Sequence, residues 1–202
     1  MSTFSYPENP ALTNLPLLDP IKRRWSPLAF SNEPLISDMI ATLFEAARWT
    51  PSLRNEQPWR YIYATHDDKE NFDRLVSFLT EDNKYLAEAY LLMLICAFPT
   101  FPNYDNKPNR THQYDTGSAT QSLVLQAVSM GLVVHVVGGF DKQRPYTELG
   151  IPQDVPLIAM AGIGYPGDES KIDPELLKAR YEEHHQRKSL DDFAFKGKWQ
   201  AK

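Results

Sequence analysis

Three short stretches carry side chains suited to chemistry. In Arg24-Trp25-Ser26-Pro27 a guanidinium, an aromatic ring and a hydroxyl stand side by side, just after Lys22 and Arg23. Arginine and serine together suit the oxygens of a phosphate monoester, because the guanidinium offers parallel N–H donors and the hydroxyl one more. Three cations in a row also describe an ordinary solvated face. Ser52-Leu53-Arg54-Asn55-Glu56-Gln57 presents amides that donate and accept at the edge of a polar heterocycle. Its alternative is a loop that satisfies its own backbone. Gly138-Gly139 ends an apolar run, where missing side chains let a backbone approach something flat or charged. An ordinary turn would use the same pair.

The usual self-contained catalytic patterns are missing. The chain has no GxxxxGK[ST], HExxH or GxSxG. His184 and His185 are adjacent on a charged helix and face apart, so no metal site is expected. His135 lies in an apolar strand and reads as a hydrogen-bonded core residue. Cys96 lies in Leu91-Leu92-Met93-Leu94-Ile95-Cys96-Ala97 and reads as a buried thiol, not a nucleophile. No catalytic acid or base is singled out, which leaves the chemistry to a bound cofactor.

The elements that must position these residues follow from periodicity. Asp115, Thr116 and Ser118 suit a helix opening. Ala119, Leu123, Ala127 and Met130 recur at helical spacing, and Gly131 suits the stop. Leu132 to Val137 is a β-branched strand. Upstream, Pro16 to Arg24 is a short helix, and Pro34 opens a helix that Pro51 closes. Trp59 to Ala64 is a strand, His66 to Leu79 a helix, and Glu81 to Glu88 a short mobile helix or lid. Tyr90 to Ala97 is a central strand. Phe98 to Arg110, with three prolines, is a long loop whose Phe98, Phe101 and Tyr104 are pocket walls or tethers. Lys142 to Leu149 is a short helix, Val155 to Gly164 a buried strand, and Pro174 to Gln186 a charged helix.

Composition bounds the rest. The 202 residues fit one domain, and 42% hydrophobic residues suffice for a core. A net charge of -5 argues against nucleic acid as the main partner. MSTFSYPENP lacks the basic and apolar regions of a signal peptide, and no apolar run spans a membrane. A soluble cytoplasmic protein is expected. Residues 1–14 read as a flexible arm, 15–186 as the domain, and 187–202 as an extended tail.

Taken in order, these stretches resemble the nitroreductase superfamily of FMN-dependent oxidoreductases. Arg24-Trp25-Ser26-Pro27 with Phe30 is similar to its phosphate-binding opening. Ala46 to Ser52 and Asn55 to Arg60 are similar to its second motif, and Asp115 to Asp141 to its central helix, strand and Gly-Gly turn. Arg187-Lys188 before Leu190 is similar to its last phosphate-contacting segment. The resemblance implies an α+β, three-layer α/β/α fold with a mainly antiparallel central sheet and an extended C-terminal tail that crosses to a partner. It implies FMN at a homodimer interface. Arg24, Ser26, Arg187 and Lys188 would take the phosphate beside Trp25, and Ser52, Asn55 and Gln57 the ribityl chain or ring edge. Val136, Gly138 and Gly139 would approach the ring.

It further implies two-step electron transfer from NAD(P)H to a small nitroaromatic or quinone acceptor. Leu28 departs from the pattern, which often has a cation there; either another residue such as Arg23 or Lys22 compensates, or the cofactor is held less tightly. Competing readings are a flavin-dependent dehalogenase, a flavin-fragmenting enzyme, or a non-catalytic dimeric module with weakened flavin binding. The homodimer is also suggested by the broad apolar central helix and by Phe193 and Phe195 in the tail.

Overall fold

The computed structural model describes residues 5–182 and 185–200. At its centre is β3 (Leu91–Ala97), in which all seven residues are buried. It pairs antiparallel with β2 (Trp59–Thr65) on one side and β7 (Leu157–Pro166) on the other. β7 continues antiparallel to β6 (Val133–Val137) and to the short β1 (Phe30–Ser31). A strand buried on both faces reads as a continuous apolar run, which is why Leu91 to Ala97 shows no alternation of polarity.

The pleat divides β3 between two cores. Leu92, Leu94 and Cys96 join Phe72, Leu75, Phe78 and Leu86 on one face. Leu91, Met93 and Ile95 join Leu43, Ala47, Leu123 and Ala127 on the other. The second face is covered by α2 (Ser37–Arg48) and α4 (His112–Ser129), the first by α3 (Lys69–Val76) and the 3₁₀ helix Glu81–Glu88. Each buried leucine contributes roughly 1.5–3 kcal/mol, so both helical layers are tied firmly to the sheet. The three-layer, mainly antiparallel architecture expected from the resemblance is therefore present. No helix among the described residues is long and apolar enough to cross a membrane.

Several boundaries differ from expectation. α4 starts at His112, so Asp115 lies inside its first turn and does not open it. Its end is as expected: Gly131 has φ 76°, with Gly131 N–H bonded to Val128 O and Leu132 N–H to Ala127 O. That six-residue closure needs a left-handed residue. α2 begins three residues after Pro34, and α3 is shorter than read, opened by Asp68, whose carboxylate accepts from Asn71 N–H.

Glu81–Glu88 is no lid, since Leu86 is fully buried against the sheet. Phe98 to Arg110 contains its own hairpin, β4 (Thr100–Phe101) with β5 (Lys107–Pro108), and a 3₁₀ turn at Pro102–Tyr104. The remaining helices are α1 (Asp19–Arg23), α5 (Arg144–Glu148) and α6 (Pro174–Tyr181). In the tail, a 3₁₀ turn at Leu190–Asp192 is closed by a Ser189–Asp192 capping box. The reading of His184 lies outside the described residues.

Candidate functional site

Arg24, Trp25, Ser26 and Arg187, all singled out in the sequence, line one recess of about 60 Å³ together with Arg180 and His185. Arg24 Nη1 lies 3.4 Å from Ser26 Oγ. Burial, and then the neighbouring Arg187 guanidinium, push the Arg24 pKa down. A buried cation facing another cation signals a space suited to an anion. Arg180 Nε is sealed from solvent and has no hydrogen-bond partner among the described residues. An unsatisfied buried donor costs about 1–3 kcal/mol. A phosphate monoester carries negative charge and an acceptor oxygen for Arg180 Nε, so the residues fit the phosphate of a mononucleotide.

The loop carrying Arg24 and Ser26 is held from behind. His135 is buried, its Nδ1 3.0 Å from Pro27 O and its Nε2 3.1 Å from Tyr85 Oη. A carbonyl only accepts, so Nδ1 carries the proton and Tyr85 donates to Nε2. Burial lowers the His135 pKa to about 4, helped by the Arg180 and Arg24 charges and opposed by the Pro27 bond. The imidazole is thus a neutral strut, as its apolar strand suggested, and not a base. Burial pushes Cys96 up to about 11, which keeps it an inert thiol.

Trp25 acts as an anchor. Its indole N–H donates to Pro7 O at 2.8 Å, and its ring packs on Tyr181 with centroids 4.6 Å apart. Arg23 points elsewhere, 3.4 Å from Asp19 and over the Tyr6 ring. Lys188 lines a wider groove that adjoins the recess through Arg24, His185 and Arg187.

The 52–57 loop lies at the far edge of the sheet, before β2. The register Trp59–Ala97, Cys96–Leu157 and Met160–Val137 puts it at the same sheet end as Gly138. Three strand spacings, about 14 Å, separate β2 from β6, and the recess lining includes none of Ser52, Asn55 or Gln57. Arg54, Asn55 and Gln57 all have positive φ, at 56°, 55° and 53°. Left-handed backbone at non-glycine residues costs roughly 1–3 kcal/mol each and persists only where neighbours impose it. Here Asp115 Oδ2 accepts from Leu53 N–H at 3.1 Å, Ser52 Oγ accepts from Gln57 N–H at 2.9 Å, and Arg54 stacks on Tyr104 and Phe101. Phe101 is thus a tether, and Phe98 likewise sits under Arg60.

Of the two glycines, only Gly138 is open. A Cβ there would meet nothing within 4 Å, whereas one on Gly139 would lie 2.5 Å from Asn83 Nδ2 and 2.9 Å from Thr80 Oγ1. Both groups donate to Gly139 O. The close approach at Gly139 therefore serves the Glu81–Glu88 helix. Val136 is 41% exposed, on the strand face opposite His135.

Sequence reasoning missed Arg180, His185, Tyr85 and the long-range bond of Asp115 to Leu53. Arg180 sits among Lys178, Tyr181 and Glu182, and nothing in that charged helix distinguishes it from a solvated face.

Comparison with known proteins bears on this arrangement. A family model described as "Nitroreductase family" matches residues 21–94 and 77–165. A solved oxidoreductase containing FMN is 32% identical and superposes with a TM-score of 0.89, covering 97% of this chain and 99% of that one. An Archaeoglobus fulgidus protein provisionally named NADH dehydrogenase/NAD(P)H nitroreductase is 27% identical over 74% of this chain and 84% of its own. A 5,6-dimethylbenzimidazole synthase of Rhodospirillum rubrum is 26% identical over 73% of this chain and 80% of its own.

Proposed function

The chain belongs to the nitroreductase family, and from that premise we propose that it is an FMN-dependent oxidoreductase. It passes reducing equivalents from NAD(P)H to a small organic acceptor of nitroaromatic or quinone type. The observation that carries this reading is the arginine-lined recess with its unsatisfied buried donor, one strand away from an open glycine. Pro27 O touches His135, and Gly138 is three residues further along the strand, about 10 Å at strand rise. One mononucleotide can therefore meet both.

In this reading Arg24, Ser26 and Arg187 hold the phosphate, and Lys188 adds charge at the rim. Trp25 fixes the segment that carries Arg24 and Ser26. Val136 and Gly138 border the ring, with Gly139 holding the turn against Asn83. When bound, FMN supplies the hydride chemistry that no side chain here offers. The chain's own residues orient it, neutralise its phosphate and leave one side accessible.

Ser52, Asn55 and Gln57 stand too far from the recess of their own chain, so the same loop of a second copy supplies them and the active unit is a homodimer. The central helix does not carry that inference. Its Leu123, Val124, Ala127 and Val128 are already buried within the protomer. What supports it is the exposed apolar surface of Leu12, Leu18, Leu190 and Phe193.

The test is an absorption spectrum of the purified protein, followed by anaerobic addition of NADH or NADPH. A flavin spectrum that bleaches and recovers when a nitroaromatic or quinone is added is expected. A bound flavin that stays oxidised with both donors would refute the donor assignment. The likeness to a 5,6-dimethylbenzimidazole synthase favours a second reading, a reaction that consumes the flavin itself. Loss of flavin during aerobic turnover, with new aromatic products by mass spectrometry, would replace the first reading with this one.

A further inference from the structure

Leu28 stands where the resemblance leads one to expect a cation, and its side chain is buried in the core at 2% exposure. The neighbours that might compensate do not. Arg23 pairs with Asp19, and both Arg23 and Lys22 line a separate hollow with Tyr6 and Glu8. We propose that Arg180 supplies the missing charge as a third guanidinium in the phosphate recess, making the site selective for a flavin phosphate monoester over the unphosphorylated flavin. This rests on the flavin reading above.

Three observations converge on Arg180. Its Nε is shielded from water and lacks an acceptor among the described residues, while the side chain faces the recess shared with Arg24 and Arg187. A donor in that state awaits an oxygen from outside the chain. Its backbone position is fixed by the next residue. Tyr181 packs on Trp25, the residue after Arg24, and donates its hydroxyl to Glu169 Oε2 at 2.9 Å. α6 therefore cannot drift from the segment that carries Arg24 and Ser26.

The charge pattern of the recess also calls for a dianion. His185 Nε2 donates to Pro10 O at 2.9 Å. On the sheet side, His135 is neutral between Pro27 and Tyr85. The recess lining brings the Arg24, Arg180 and Arg187 guanidinium groups together. A planar fork can engage two phosphate oxygens at once, which a lysine cannot. α6 lies beyond the residues matched by the family model, which end at 165, so family membership does not assign this role.

The test compares full-length wild type with Arg180→Gln and Arg180→Lys, each stripped of flavin and titrated with FMN and with riboflavin by fluorescence quenching. Wild type is expected to prefer FMN. Arg180→Gln should lose about tenfold to a hundredfold in FMN affinity, the usual range for a charged hydrogen bond, with riboflavin affinity unchanged. Arg180→Lys should fall between. Inorganic phosphate should compete with FMN in wild type and more weakly in Arg180→Gln. FMN binding at wild-type strength in Arg180→Gln, or a parallel loss of FMN and riboflavin, would overturn the proposal while leaving the flavin reading intact. A wild type that binds neither flavin would overturn both.

Discussion

Two residue-scale features make opposite demands on their surroundings. His135 has a folded pKa of about 4 against an ordinary 6.5, with burial the main cause. Between those values the unfolded chain takes up a proton that the folded chain refuses. Folding stability contributed by neutral His135 is therefore complete above about pH 6.5 and declines as pH falls toward 4, by a total of about 3 kcal/mol. Urea unfolding at pH 7 and pH 4.5 should show this slope in wild type, and His135→Gln should flatten it while lowering stability at pH 7. An unchanged slope in the variant would move the titration to another group. The two glycines separate in the same way. Gly139→Ala forces Asn83 and Thr80 off the Gly139 carbonyl and should cost about 1–2 kcal/mol. Gly138→Ala meets open space and should leave thermal melting unchanged. Its effect should appear as weaker flavin binding, measured by the same fluorescence titration, because the added methyl stands where the ring is proposed to lie.

At the scale of elements, α4 shows which information is local and which is not. Its stripe of Ala119, Leu123 and Ala127 and its glycine stop were legible, because helical period and a left-handed φ are properties of neighbouring residues. Its start was not. Asp115 has the chemistry of a helix opener, but its carboxylate reaches Leu53 N–H, 62 positions away, and the Thr111 hydroxyl. The hairpin within 98–110 was hidden for a related reason. Three prolines suppress any strand pattern, and Pro108 is tolerated only because β5 is a two-residue exposed edge. Arg180 was illegible because a charged helix gives no sign of which cation turns inward. Asp115 links the central helix to the strained 52–57 loop, so removing it should loosen that loop first. Asp115→Ala should lower stability by about 1–3 kcal/mol, the range for a hydrogen bond to a charged group. Limited trypsin digestion read by mass spectrometry should then show faster cleavage after Arg54, which is exposed. Cleavage after Arg54 at the wild-type rate would show that the Leu53–Asp115 bond does not hold the loop.

At the scale of the whole molecule, the proposed site is divided. The guanidinium recess adjoins the β6 edge of the sheet, and the amide-bearing loop precedes the β2 edge, with β3 and β7 between them. Folding cannot bring the two together within one protomer without breaking a sheet whose central strand is wholly buried. A second copy can. The surface available for it lies between residues 11–21 and the tail, where a groove of about 860 Å³ is bordered by Leu12, Leu15, Ile21, Leu190 and Phe193 along with Arg24 and Arg187. Leu12 is 93% exposed and Phe193 62%, an arrangement that a soluble monomer rarely leaves uncovered. Sedimentation at micromolar concentration should therefore give twice the 23.2 kDa chain mass. The double variant Leu190→Asp with Phe193→Asp should dissociate, because each copy would bring charge into the apolar contact. Neither residue belongs to a core cluster, so circular dichroism should be unchanged. Flavin affinity should fall at the same time, since the separated protomer keeps its arginines but loses the partner's 52–57 loop. Dilution of wild type should weaken flavin binding over the same concentration range in which the dimer dissociates. A monomeric variant that binds FMN at wild-type strength would show that one chain builds the whole site.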